Sequence, residues 1–205
     1  MVNLNSRPCP GLLRSLAFVA LLTVSAFSSS AATITVPFTL DLSNPTFNRT
    51  VGFAQGGTPT LSGVGTAVHY TTYSFTLLSD SNLTVSLVDV DGASVTPVGA
   101  DTFLILYKNS FSPADPLTNA IVANDDAIGS RSRFTTTTPL LATDSYILVI
   151  TSFENTPAAP GAFPWSGNVV LTADSFGGSG NQVPEPATIS VAAAALAFLV
   201  WKRRR

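Results

Sequence analysis

A chain of 205 residues with one cysteine, one histidine and a mean hydropathy of +0.36 leaves little scope for thiol or histidine chemistry. Its 10 Lys+Arg against 12 Asp+Glu hide an uneven spread: Arg7, Arg14, Lys202, Arg203, Arg204 and Arg205 lie in the terminal segments. That leaves Arg49, Lys108, Arg131 and Arg133 against 11 carboxylates, a net charge of −7 over about residues 33–182, which speaks against nucleic-acid binding and suits divalent cations.

The first element in chain order is an export signal. Arg7 and Arg14 make a basic start, Leu16 to Phe27 form an apolar stretch, and Ser28-Ser29-Ser30-Ala31-Ala32 supplies the small residues a signal peptidase requires. Residues 1–32 therefore read as a signal peptide cut after Ala31 or Ala32, with Ala26 as an alternative. A retained anchor fits less well, because the apolar stretch falls short of the roughly 20 residues a membrane span needs. Cys9 leaves with the signal, so the exported chain holds neither a disulfide nor a cysteine metal site.

Residues 33–176 are predicted to form one all-β domain, a β-sandwich or jelly-roll-like fold. Tyr73, Phe75 and Leu77 alternate with Ser74 and Thr76, and Leu83, Val85 and Leu87 alternate with Thr84 and Ser86, the period of a strand with one buried face. Phe103 to Tyr107 and Tyr146 to Ile150 are continuous apolar runs, as expected of central strands, and Val169, Leu171 and Ala173 close the series. Turns are expected at Ser79 to Asn82, Asp91-Gly92, Asn109 to Pro116 and Asn155 to Gly167. The polar strand positions are Thr and Ser, with Thr135 to Thr138 the extreme case. That pattern reads first as β-propensity on a solvated face, the alternative being hydroxyl bonding to polysaccharide or O-glycosylation.

Asn124-Asp125-Asp126 places three oxygen-bearing side chains in a loop after a strand, and Asp101 opens the strand before it. Adjacent Asp and Asn on loops are the ligands Ca²⁺ takes, and they are also turn formers that bond local amides. Asp89 and Asp91, in Asp-Val-Asp-Gly, lack the further ligands of an EF-hand loop and read as a hairpin turn. Trp165, in the Pro/Gly-rich Phe163-Pro164-Trp165 loop, is placed either to stack on a sugar ring or to fold back over the sandwich edge. Catalysis finds little support. His69 lies at the mouth of a strand, Gly-x-Ser-x-Gly is absent, and Glu154 is the one glutamate of the exported portion. The chain is thus expected not to be an enzyme, a secreted hydrolase being the third choice.

The segments Asp101-Thr102-Phe103-Leu104-Ile105-Leu106-Tyr107, Ala123-Asn124-Asp125-Asp126, Ser130 to Phe134, Tyr146 to Thr151 and Gly167 to Leu171 together resemble the bacterial pre-peptidase C-terminal family. The resemblance covers about residues 70–174 and departs at Val169-Val170 and in the insertion from Thr156 to Trp165. It implies a non-catalytic β-sandwich of secreted and surface proteins, some of which bind calcium and some polymeric substrates.

Residues 177–182 read as a Gly/Ser linker, and the chain closes on Val183-Pro184-Glu185-Pro186, an apolar run from 187 to 201, and Trp201-Lys202-Arg203-Arg204-Arg205. The prolines hold the motif extended, and terminal cations are retained on the cytoplasmic side. As a helix the run spans about 22 Å against roughly 30 Å of hydrocarbon, a marginal and transient anchor. This tail resembles the PEP-CTERM sorting signal, which implies a Gram-negative bacterium, an exosortase partner and an inner-membrane-anchored precursor. The combined expectation is an exported structural or interaction protein of the cell surface or extracellular matrix. The alternative is a calcium-dependent carbohydrate-binding module, with Asp101, Asn124, Asp125 and Asp126 at the ion and Trp165 at the polysaccharide.

Overall fold

The computed structural model describes residues 31–88 and 92–177, and every regular element among them is a strand. In chain order these are Ala32–Leu40 (β1), Thr46–Phe47 (β2), Val68–Leu77 (β3), Thr84–Ser86 (β4), Ser94–Thr96 (β5) and Thr102–Lys108 (β6). Ala120–Asn124 (β7), Arg133–Thr135 (β8), Ser145–Ser152 (β9), Trp165–Ala173 (β10) and Phe176–Gly177 (β11) complete the series. They pair antiparallel into two sheets. The first runs β1-β10-β4-β8 with β5 also on β10, and the second runs β11-β3-β9-β6-β7 with β2 on β3. The expected all-β sandwich is the architecture observed.

Alternation builds the interior. Along β1, Phe38 and Leu40 point inward while Thr33, Thr35 and Thr39 are exposed, and Pro37 is tolerated because β1 is an edge strand. Phe38, Val85, Phe134, Val169 and Leu171 from the first sheet meet Phe75, Leu104, Leu106, Leu148 and Ile150 from the second. The outer face of the first sheet carries Thr33, Thr172, Thr84 and Thr135 in one register row across four strands. Their hydroxyls pair at 3.2 Å (Thr33–Thr172) and 2.9 Å (Thr84–Thr135). Thr136, next in the threonine run, is buried, and its hydroxyl accepts the Leu83 N–H at 2.9 Å.

The continuous apolar runs have a specific cause: the second sheet is covered on both faces. Residues Phe103, Ile105, Tyr107 and Val149 point away from the sandwich interior into a second cluster, roofed by Phe47 of β2, Phe53 of the β2–β3 connection and Phe111 of the β6–β7 connection. Phe47, Tyr70 and Phe111 meet edge to face with centroids 5.1–5.3 Å apart. A strand buried on both faces loses its alternation, which is why β6 is apolar from Phe103 through Tyr107.

Several boundaries move. β1 begins at Ala32, so a cut after that residue would remove the first position of the strand. Gly177, expected in the linker, is buried in β11, and β10 starts at Trp165 inside the expected loop, four residues before Val169. The signal segment up to residue 30, Cys9, Asp89 and Asp91 lie outside the described residues, as do Val183 to Pro186, the 187–201 run, Trp201 and Lys202 to Arg205. Among the described residues no helix is long and apolar enough to cross a membrane.

Candidate functional site

Asp101 immediately precedes β6, and Asn124 ends its antiparallel neighbour β7, so the chain brings Asp101, Asn124, Asp125 and Asp126 to one end of the second sheet. The backbone there is closely stitched. Thr102 N–H donates to Ser130 O at 3.0 Å, Ser132 Oγ donates to Thr102 O at 2.6 Å, and Ala127 N–H donates to Arg131 O at 2.8 Å. The last bond closes a tight turn in which Gly129 has φ +58°. Within that turn region two of the acceptors are already in use: Asp125 Oδ1 takes the Asp126 N–H at 2.8 Å, and Asn124 Oδ1 takes the Arg133 N–H at 3.3 Å. Among the described residues no three His, Asp or Glu side chains gather closely enough to hold a metal ion. The expected oxygen donors share an end of the sheet without sharing a coordination sphere.

They do share a field. Burial, reinforced by Asp126, Asp125 and Glu154 and opposed by Arg49, pushes the Asp101 carboxyl up to about 6. Burial and then Asp125 raise Asp126 in the same direction. Arg49 is the buried counter-charge. Its guanidinium donates to Phe153 O from Nε (2.9 Å) and Nη2 (2.5 Å) and to Thr50 O at 2.7 Å. It lies 3.9 Å from the Phe103 ring centroid and 4.7 Å from that of Phe153. Burial brings its pKa down to about 10 against the pull of Asp125 and Asp101, so it stays charged. It pins the connection between β2 and β3 onto the second sheet.

Trp165 is not available to a ligand. Its side chain is 1% exposed, its Nε1 donates to Gly161 O at 2.7 Å, and Phe163 packs on it at 4.8 Å. The Pro-rich loop folds back over the sandwich, so the stacking role for this ring is corrected: an indole enclosed on both faces has none to offer a sugar. His69 is likewise structural in its contacts, with Nδ1 2.7 Å from Asn44 O and the ring edge-on to Phe163 at 5.6 Å.

Beside the acidic end, where the edge strands β7 and β8 face each other, a cleft of about 470 Å³ opens to solvent. One wall is the end of β7 with Asn124 and Asp125, the other is β8 with Arg133, and residues 52–55 form the roof. The four cations of the exported portion sort by their surroundings. Arg49 is enclosed, Arg131 donates to Val95 O at 2.6 Å, and Lys108 pairs with Asp144 at 2.8 Å. The guanidinium of Arg133 has no protein partner among the described residues, and it lines the cleft.

Residues 182–205 match the PEP-CTERM protein-sorting motif. The motif indicates an exported protein of a Gram-negative bacterium with a membrane-anchored precursor, and it implies processing by an exosortase. No curated protein matches it. Among solved structures, the CBM36-1 domain of a multidomain xylanase from the hindgut metagenome of Trinervitermes trinervoides is similar at 9% identity. That alignment covers 74% of this chain and 99% of the other at a TM-score of 0.30, so the sandwich rests on its own strand pairing.

Sequence reasoning missed Phe53, Gln55, Arg49 and Arg133 as site residues. Scarcity was the available signal: in a domain with four cations, each needs a reason. Which one was free depended on the packing.

Proposed function

We propose that this exported sandwich is a non-catalytic interaction protein of the cell surface or extracellular matrix. The observation that carries the reading is the cleft between β7 and β8. Among the described residues its lining supplies hydrogen-bonding side chains and the rings of Phe53 and Phe134, with Asp125 as its one carboxylate and no histidine. Two-carboxylate hydrolysis needs a second acid across the substrate, and general-base chemistry with imidazole needs the ring in reach. The sorting motif supports the destination, and the stretches resembling the pre-peptidase C-terminal family fall on β6, β7, β8, β9 and β10 or at their ends. The test is fractionation of the native host. Wild-type protein is expected at the surface or in the matrix, and Glu185→Ala is expected to accumulate as unprocessed, membrane-held precursor. A wild type confined to the periplasm, or normal maturation of the variant, would sink the reading.

A second reading, a calcium-dependent module, is favoured by the repulsion that Asp126, Asp125 and Glu154 exert on Asp101, beside the larger effect of its burial. A divalent cation would relieve it once the 125–126 turn closed toward Asp101. Unfolding with millimolar Ca²⁺ and with chelator decides this: a rise in midpoint with Ca²⁺ that Asp125→Ala abolishes supports it, and identical curves reject it.

A further inference from the structure

The cleft between β7 and β8 is held open by bonds that do not involve its free groups. Phe53 and Ala123 exchange backbone hydrogen bonds at 2.9 and 3.0 Å, which fixes the roof to β7. Gln55 fixes the other end: Oε1 accepts the N–H groups of Thr137 (2.7 Å) and Thr138 (2.9 Å), and Nε2 donates to Thr138 O at 3.1 Å. The walls are tied by the Arg133 N–H to Asn124 Oδ1. Such a site needs little ordering when a ligand arrives.

Three polar groups in it are uncommitted among the described residues: the Arg133 guanidinium, the side-chain NH₂ of Asn124 and the second carboxylate oxygen of Asp125. Half-buried Phe53 adds an aromatic surface. Planar donors beside a planar acceptor match vicinal hydroxyls, which each donate and accept, and an aromatic ring packs against the C–H face of a pyranose. The volume of about 470 Å³ is within the roughly 300–1,000 Å³ of small-ligand clefts, and an open cleft admits a unit within a chain.

We propose that this cleft binds neutral sugar units of an extracellular polysaccharide, an assignment that rests on the non-catalytic reading above. Charge selects the neutral class. Among the described residues that line it, the one carboxylate (Asp125) and the one cation (Arg133) cancel, so the cleft offers a uronic or sulfated sugar no net positive charge to offset its desolvation. The site requires neither Trp165 nor a bound metal.

The test is affinity electrophoresis of the purified full-length protein, in mild detergent with EDTA, through gels containing laminarin, arabinoxylan, galactomannan or dextran, with alginate as the acidic comparison. At least one neutral polymer should retard the wild type and alginate should not. Arg133→Ala and Phe53→Leu should each weaken retardation about tenfold, the loss of roughly one good contact. Thr39→Ala, on the far exposed edge strand, should leave it unchanged. Thermal midpoints measured without polymer confirm that the variants fold, and Asn124→Ala serves as an independent probe if Phe53→Leu does not. Absence of retardation by any neutral polymer, retardation unaffected by Arg133→Ala, or preference for alginate overturns the proposal while surface localisation stands. Reducing sugar released from a retarding polymer would instead sink the non-catalytic reading and leave the cleft in place.

Discussion

Replacing Asp101 by Asn removes one negative charge from the acidic end while keeping the side chain's size. In the folded chain the carboxyl titrates near 6 instead of 3.8, because burial and Asp126, Asp125 and Glu154 together outweigh Arg49. The folded state therefore holds its proton more tightly than the unfolded state, and stability falls as pH rises through the window between 3.8 and about 6. Below that window no penalty operates, and above it the penalty is complete. Two pKa units correspond to at most about 3 kcal/mol. Asp101 keeps partial access to solvent, and screening reduces the net figure to about 1 kcal/mol. Asp101→Asn should thus stabilise the exported portion at pH 7 by about 1 kcal/mol, a rise of roughly 2–4 °C in Tm for a domain of this size. The gain should vanish below pH 4. Urea or thermal unfolding of both proteins across pH 3.5 to 8, with chelator present, measures it. A variant less stable than wild type at pH 7, or a difference independent of pH, would refute the assigned balance and make Arg49 the dominant partner of Asp101.

Arg49→Met should cost about 3 kcal/mol, since it removes charge-assisted bonds to Phe153 O and Thr50 O and the packing between two rings; an unchanged urea midpoint would show that the loop docks without it. Gly167→Ala should detach β5 from β10, because a Cβ there would collide with the Ser94 backbone oxygen, which has no freedom to withdraw. The expected cost is about 2 kcal/mol or more, with faster amide exchange at Ser94–Thr96 as the local readout. Trp165→Phe should lower stability by about 2 kcal/mol through the lost Gly161 bond and volume, and should leave polysaccharide retardation unchanged in gels.

The fold was legible where one residue's environment depends only on its own strand. Tyr73 to Leu77 and Leu83 to Leu87 alternate because one face meets the interior and the other meets water, and both segments are strands or border them. The apolar runs in β6 and β9 were legible as central strands, yet nothing local says what covers their outer face. Phe47, Phe53 and Phe111 lie in stretches with no periodicity, and only closure of the sandwich brings them together over Ile105 and Val149. β1 was obscured for a different reason: its alternation begins at Ala32, among the small residues that also suit a cleavage site.

The candidate site divides the same way. Asn124, Asp125 and Asp126 were readable as a loop of oxygen-bearing side chains, and their being both turn formers and possible ligands is a property of the residue types themselves. Trp165 was readable as an aromatic in a Pro-rich loop, but whether such a ring faces water or the interior is decided by what the loop folds against. The sequence by itself determined the sorting motif, a linear signal recognisable without the fold, and the strand alternation, through a period of two. The tertiary structure alone decided that Arg49 is enclosed, that the Arg133 guanidinium has no partner among the described residues and that β7 and β8 leave a cleft between them. Each of these is a relation between residues far apart in the chain, and such relations exist only once the two sheets have closed on one another.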